Sequence, residues 1–165
     1  MIVMALWACG GLQTGSLVDS DSWRGVDADT DPFDDRPGEV TCPEGEGWFV
    51  EELDGERTLS VDTGYCDYLA VSQPLLAPVS TRDELFMRLW HYDLDANAVA
   101  EAHAALWADG TVIWETRVGI PAESSMIAVS FTAPELEEGT ELFFHLHNHG
   151  DNTWNLIELS KNPDL

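Results

Sequence analysis

The sequence predicts an all-β fold, a sandwich of antiparallel strands in two layers, and three observations support this prediction. Short segments of alternating polar and apolar residues recur roughly every 10 to 16 positions, as they do in β-sandwiches. Turn-forming pairs such as Asp54-Gly55 and Asp109-Gly110 separate these segments. The window most compatible with a helix, residues 95–106, is followed by Asp109-Gly110 and a further strand pattern, which favours a hairpin there.

The predicted strands are short runs bounded by Gly, Pro, Asn or Asp. They are residues 58–61, 68–73, 85–94, 101–107, 112–118, 126–131 and the two arms of residues 141–160. Residues 141–160 are interpreted as a closing hairpin that turns at Gly150-Asp151-Asn152. Residues 48–50 form an extra opening strand. About eight strands with this rhythm predict a jelly roll.

Composition indicates one folded domain with a tail. The chain has 165 residues, of which 44% are hydrophobic, including seven Trp and six Phe, and this is enough for a packed core. Thirty-one acidic residues against seven basic ones give a net charge of -24. Such a surface repels phosphate backbones and anionic membranes, so nucleic acid is excluded as a partner. The charge serves either solubility outside the cytosol or the attraction of cations such as Ca²⁺.

Residues 10–40 have the composition of a disordered, solvated tether. They are rich in Asp, Ser, Thr, Pro and Gly and show no sustained periodicity of apolar residues. Asp27, Asp29 and Asp31 have the spacing of a calcium loop, but Pro32 stands where that loop needs glycine. A structural Ca²⁺ is therefore the lesser alternative to a plain spacer. Residues 41–162 are predicted to form the sandwich domain.

Three cysteines divide into one near the amino terminus and one pair. Cys42 and Cys66 lie 24 positions apart beside turn-forming residues, and their spacing matches no zinc motif. We predict a disulfide between them, which requires an oxidising compartment. A bridge closing this loop stabilises a fold by about 3 kcal/mol on the loop-entropy model.

The apolar run that ends at Leu6-Trp7-Ala8-Cys9-Gly10 resembles the lipobox of bacterial lipoproteins. The resemblance implies that residues 1–9 are the remnant of a signal, that the chain is cut before Cys9, and that Cys9 carries a lipid. Contact with a membrane would then occur only through this anchor, in the bacterial cell envelope or after secretion. The alternative is an apolar amino terminus with a free thiol.

Residues 85–94 (LFMRLWHYDL) and 147–159 (HNHGDNTWNLIEL) are similar to strands of the galactose-binding-like jelly-roll domains. The resemblance covers residues 40–159. It implies the fold, in a family that includes many carbohydrate-binding modules and often holds a structural Ca²⁺. Only the fold is carried over to this chain, because no sugar or calcium residue of the family can be matched in it.

Jelly-roll order places the second, fourth, fifth and seventh of the eight strands in one sheet, with the fourth beside the seventh. Alternation along these strands then gathers histidines, carboxylates, an arginine and aromatics on one hydrated sheet face. The residues predicted on this face are Glu101, His103, Trp107, Glu115, Arg117, Phe143, His145 and His147. His91, on the other sheet, is predicted at the edge of the core.

Three interpretations of this face remain open. His103, His145 and His147 have ligand types suited to Zn²⁺ or Cu²⁺. Alternatively, a sugar ring stacks on the aromatics while charged groups bind its hydroxyls. The residues assigned to that glycan site are Trp107, Phe143, Glu101, Glu115 and Arg117. In the third interpretation the face is hydrated and its histidines pair with neighbouring glutamates.

The sequence predicts a binding protein and not an enzyme. It contains no G-x-S-x-G and no H-E-x-x-H motif, and both paired cysteines are expected to be oxidised. The expectation is a secreted, lipid-anchored surface module that binds a glycan or a surface protein. The alternative is a periplasmic metal-binding protein that uses the histidines.

Overall fold

The computed structural model describes residues 15–162 and contains eleven strands in this range. Their bounds are β1 (Gly15–Ser16), β2 (Arg24–Gly25), β3 (Trp48–Leu53), β4 (Glu56–Asp62), β5 (Tyr68–Pro74), β6 (Leu85–His91), β7 (Ala100–Ala108), β8 (Thr111–Ile120), β9 (Ser125–Phe131), β10 (Glu141–His147) and β11 (Thr153–Lys161). A single 3-10 turn covers Ser20–Ser22. Within the described range there is no helix long and apolar enough to cross a membrane.

The strands form two antiparallel sheets. The first sheet has the order β3-β4-β11-β6-β9, with β1 beside β11, and the second has the order β2-β5-β10-β7-β8. The predicted jelly-roll sandwich is therefore confirmed, including the four strands predicted to share the second sheet. The predicted neighbours β7 and β10 do pair, with His103 opposite His147 and Trp107 opposite Phe143.

The core lies between the two sheets and follows the alternation of each strand. In β10, Leu142, Phe144 and Leu146 are at most 1% exposed and point inward. Ala102, Ala104 and Leu106 of β7 are buried beside them, as the apolar pattern predicts. Burial of one such large apolar side chain contributes about 1.5–3 kcal/mol, so these inward faces hold the two layers together.

The Asp-Gly pairs form the predicted hairpin turns. Asp109 and Gly110 both have positive φ, 46° and 81°, and they join β7 to β8. Asp54 and Gly55 do the same between β3 and β4, at 52° and 86°. Positive φ at both central positions matches the twist of a two-stranded ribbon, which is why this dipeptide predicts a hairpin turn.

The predicted closing hairpin over residues 141–160 is wrong. β10 pairs with β5 and β7 in the second sheet, whereas β11 pairs with β4 and β6 in the first sheet. Both edges of each strand are thus occupied, and the two strands cannot pair with each other. Residues 148–152 cross from one sheet to the other instead of forming a tight turn.

A buried polar network holds this crossing loop. Asn148 accepts a hydrogen bond from the Trp154 indole nitrogen (3.1 Å) and donates one to the Thr63 hydroxyl (2.9 Å). Thr63 donates to the carbonyl oxygen of Gly150 (2.6 Å), and Asn152 accepts from the backbone of Asp95 (2.7 Å). Because these groups are buried, each lost partner would leave an unsatisfied polar atom.

Residues 15–40 are not the flexible tether that the composition predicts. β1 pairs with β11 and β2 pairs with β5, so this segment extends both sheets. Leu17, Trp23 and Phe33 are 1%, 6% and 9% exposed. Three well-spaced apolar side chains therefore anchor an acidic segment whose overall composition indicates solvation. Residues 10–14, Cys9 and the lipobox resemblance lie outside the described residues.

The predicted disulfide between Cys42 and Cys66 is confirmed, with Cα atoms 5.0 Å apart. It connects the segment before β3 to the loop between β4 and β5. Gly47 packs closely against the bridge. A Cβ atom at this position would be 2.9 Å from the Cys42 sulfur and 3.0 Å from the Cys66 sulfur, so the position has no room for a larger residue. The bridge therefore ties residues 26–47 to the end of the second sheet.

Candidate functional site

The outer face of the second sheet carries the residues that the alternation predicts. Cross-strand pairs share a face, so His145 lies between Ala70 of β5 and Ala105 of β7. His147 lies in the next row between Tyr68 and His103. The two alanines leave a shallow trough beside the larger rings of their neighbours.

Residues 31–36 fill this trough, so the face is not hydrated as predicted. The Phe33 ring stacks on His145 with centroids 4.4 Å apart, and His145 is fully buried. The side chain of His103 is only 11% exposed and that of His147 only 20%. The predicted open surface is wrong because the acidic segment, interpreted as a spacer, covers it.

Asp31 anchors the covering segment. Its carboxylate accepts hydrogen bonds from the Arg36 guanidinium (2.6 Å), the Tyr68 hydroxyl (2.7 Å) and the Phe33 backbone amide (3.0 Å). Burial and the bond to Asp31 raise the pKa of the Tyr68 phenol, which therefore stays protonated and donates. With its oxygens committed to these donors, Asp31 is a poor calcium ligand, and the weak calcium-loop pattern has another explanation.

Asp35 lies at the centre of the histidines, a contact that the sequence did not indicate. Its Oδ2 atom is 3.0 Å from Nδ1 of His147, 3.3 Å from Nε2 of His145 and 3.5 Å from Nδ1 of His103. Burial raises the pKa of Asp35, but the hydrogen bond from His147 and the nearby rings outweigh it, so the pKa lies below its usual value. Asp35 is therefore an anion at neutral pH.

The remaining ring nitrogens of two histidines have their own partners. His145 Nδ1 lies 3.2 Å from the carbonyl oxygen of Leu69, and His103 Nε2 lies 3.0 Å from a carboxylate oxygen of Glu115. Both partners are acceptors, so a tautomer with its proton on these nitrogens satisfies both contacts. Burial lowers the pKa of His145 to about 4, so its ring is neutral at pH 7. Of the third interpretation, the pairing of a histidine with Glu115 is found at His103, whereas the hydrated face is not.

Removal of the Phe33 ring tests whether the segment is held as described. We expect Phe33→Ala to lower the free energy of unfolding by about 2 kcal/mol, since a buried aromatic contact is lost. Hydrogen exchange followed by mass spectrometry should show faster exchange over residues 26–40. Val99→Ala, which truncates a side chain that is 93% exposed, is the control. Equal exchange in both variants would contradict the packing of this segment.

The residues predicted to bind a glycan are spread along the second sheet. Trp107 and Phe143 contact each other edge to face, with centroids 5.2 Å apart. Glu101 and Arg117 form an exposed ion pair at 3.1 Å. Six positions of β7 separate Trp107 from Glu101, a distance of about 20 Å in a strand. The face therefore brings together two pairs and not one convergent site.

The outer face of the first sheet has an aromatic recess that sequence reasoning missed. It is a cavity of about 300 Å³ lined by Leu53, Asp54, Glu56, Arg88, Trp90, Tyr92, Met126 and Ile157. Trp90 and Tyr92 lie edge to face at 6.1 Å, and Tyr92 is 47% exposed. The sequence could have indicated this recess, because Trp90 and Tyr92 flank the buried His91. Alternation along the strand then directs both rings away from the core. His91, predicted at the edge of the core, is 2% exposed and packs on Trp154 with ring centroids 4.7 Å apart.

Arg88 forms the polar side of this recess. Its guanidinium contacts Glu56 at 2.5 Å and Glu158 at 2.7 Å, so two carboxylates fix its position. The hydrogen bonds from Arg88 hold the pKa of Glu56 below its usual range. The recess thus presents two aromatic rings beside oriented donors and acceptors.

Comparison with known proteins identifies the fold. No family model matches the sequence, and no curated protein matches it significantly. The K1 cleaved adhesin domain of Lys-gingipain from Porphyromonas gingivalis W83 is similar in structure, with a TM-score of 0.51, 14% identity and coverage of 93% of this chain and 98% of that chain. The module TmCBM61, solved in complex with β-1,4-galactotriose, has a TM-score of 0.50, 8% identity and coverage of 91% and 99%. The chain therefore has the jelly-roll fold of these domains, in line with the predicted resemblance.

Proposed function

We propose that this protein is a non-catalytic carbohydrate-binding module and that its ligand binds in the Trp90 recess of the first sheet. The observation that carries the proposal is the pairing of two partly exposed aromatic rings with a fixed ion-pair network in one cavity. The C–H face of a sugar ring packs on an aromatic face, while Arg88 and its carboxylate partners bind hydroxyl groups. A cavity of about 300 Å³ accommodates one or two sugar rings.

The second sheet is the less suitable glycan surface. Residues 31–36 cover its middle, and the Trp107 and Glu101 pairs are far apart. The complex of TmCBM61 with β-1,4-galactotriose supports a glycan as the class of ligand, since that module shares the fold.

A binding role is favoured over catalysis by the state of the two carboxylates that pair with Arg88. Glu56 and Glu158 both pair with Arg88, and the lowered pKa of Glu56 makes it a poor proton donor. A glycosidase needs one carboxyl group with a raised pKa to protonate the leaving group. The disulfide supports an extracellular or cell-envelope location. Lipidation at Cys9 remains part of the proposal.

Glycan-array screening followed by calorimetry tests the assignment. We expect Trp90→Ala to weaken binding of the best glycan at least about tenfold, which corresponds to roughly 1.4 kcal/mol of lost stacking. Tyr65→Ala is the matched control, because Tyr65 is an aromatic residue, 59% exposed, outside the recess.

Two results would contradict the proposal. Absence of binding to any glycan would argue against a carbohydrate-binding module. Loss of glycan binding in Trp107→Ala but not in Trp90→Ala would place the binding site on the second sheet instead. Circular dichroism of each variant distinguishes a lost contact from a lost fold.

A further inference from the structure

Two ring nitrogens and a carboxylate oxygen converge beside the Phe33 ring on the second sheet. Leu69 and Glu115 each engage one ring nitrogen of His145 and His103, which leaves His145 Nε2 and His103 Nδ1 as the atoms that can bind a further partner. Both atoms face Oδ2 of Asp35, at 3.3 Å and 3.5 Å. Two imidazoles and a carboxylate that turn toward one point in a largely buried site form a donor set suited to a cation.

The unpaired Nδ1 atom of His103 is a second, independent observation that points to a bound ligand. This atom is buried and has no hydrogen-bond partner among the described residues. Buried polar atoms in native proteins are nearly always paired, so an orphan aimed at a carboxylate indicates a missing ligand. The side chain of His103 is 11% exposed, so bulk water does not explain the orphan.

From this geometry we infer that Asp35, His103 and His145 bind one Zn²⁺ ion, which joins residues 31–36 to the outer face of the second sheet. The three donor atoms all lie within 4.8 Å of one another. In a tetrahedral zinc site with bonds of about 2.0–2.1 Å, donor atoms lie about 3.3 Å apart. The distances from Asp35 to the two histidines match this spacing.

The atoms around these donors are arranged like the outer shell of a metal site. A histidine that binds a metal usually gives its other N–H to a carboxylate or a backbone carbonyl, which orients the ring. Glu115 has this place behind His103, and Leu69 has it behind His145. His147, 3.0 Å from Asp35, orients the carboxylate in the same way.

Nitrogen-rich donors favour zinc over calcium and magnesium. Two imidazoles and one carboxylate suit a borderline transition metal, whereas the hard cations prefer oxygen donors only. The net charge of -24 lies on many exposed carboxylates, which attract cations without selecting among them. The site is thus distinct both from this diffuse charge and from the Trp90 recess, and the inference does not depend on glycan binding.

Zinc titration of the full, untagged chain tests the inference. After treatment with a chelator, the protein is titrated by calorimetry with Zn²⁺ in millimolar Mg²⁺, which occupies the exposed carboxylates. We expect one Zn²⁺ per chain. Asp35→Asn should weaken binding about 100-fold, while Asp34→Asn, which removes the adjacent exposed carboxylate, should leave it unchanged. His103→Gln should behave like Asp35→Asn, and His149→Gln should behave like the wild type.

A spectroscopic readout separates coordination from a structural effect. Co²⁺ in place of Zn²⁺ should give the intense visible absorption of a tetrahedral site in the wild type and lose it in Asp35→Asn. Zn²⁺ should also slow hydrogen exchange over residues 31–36 in the wild type only. Substoichiometric zinc in the wild type would overturn the inference. An equal loss in Asp34→Asn and Asp35→Asn, with both variants folded, would do the same.

Discussion

Gly150→Ala is expected to lower the free energy of unfolding by about 4 kcal/mol, a large part of the stability of a typical domain. Gly150 has φ of +114°, a conformation that residues with a Cβ atom rarely adopt. A Cβ atom there would lie 2.0 Å from the carbonyl oxygen of Asp95 and 3.0 Å from the Asn152 side chain. The clash is with backbone, which cannot rotate out of the way as a side chain can. Residues 148–152, which connect β10 to β11, must therefore shift.

Thermal and denaturant unfolding measure this effect. A loss of about 4 kcal/mol lowers the melting temperature by roughly 8–16 °C for a domain of this size. Gly119→Ala is the matched control, because a Cβ atom at Gly119 meets nothing within 4 Å. If the two variants unfold alike, the close approach of Gly150 to Asp95 does not exist in solution.

Removal of the disulfide with the double variant Cys42→Ala/Cys66→Ala is expected to cost about 3 kcal/mol. The bridge closes a loop of 24 residues, so its loss mainly increases the conformational freedom of the unfolded chain. Urea unfolding should show a lower midpoint for the variant. The wild type in a reducing agent should fall to the same midpoint, and this comparison separates loss of the bond from the change of side chain.

An unchanged midpoint would mean that the bridge does not form in solution. In that case the oxidising compartment would lose its main support, since the location is inferred from this bond. Mass spectrometry of the intact, unreduced chain supplies the check, because the disulfide lowers the mass by two hydrogens.

The fold was predictable because local patterns and sheet topology agree. Alternation in β10 separates Leu142, Phe144 and Leu146 from the histidines, and jelly-roll order then places β7 beside β10. The closing hairpin was predicted wrongly from Gly150-Asp151-Asn152, since turn residues mark a change of direction but do not identify the partner strand. Pairing depends on which edges are free, and that is a property of the whole sheet.

The surroundings of the histidines were less predictable than their positions. The average composition of residues 10–40 indicates a solvated segment. One residue of this segment, Phe33, nevertheless packs on the sheet, in the space that the small side chains of Ala70 and Ala105 leave. Asp35 is one of many acidic residues, and only its place in the folded chain distinguishes it. The Trp90 recess was not predicted, although Trp90 and Tyr92 alternate with His91, which points into the core.

The two-residue strand β2 has a consequence for self-association. β5 would otherwise present an open row of amide and carbonyl groups along a largely buried strand, and such a border readily recruits the same strand of another molecule. Arg24 and Gly25 pair with Ser72 and Val71, and the next amide, that of Val26, bonds to Ala70. The chain then turns away over the sheet. Part of the β5 border is thus closed within the molecule and is not available to the same strand of another copy.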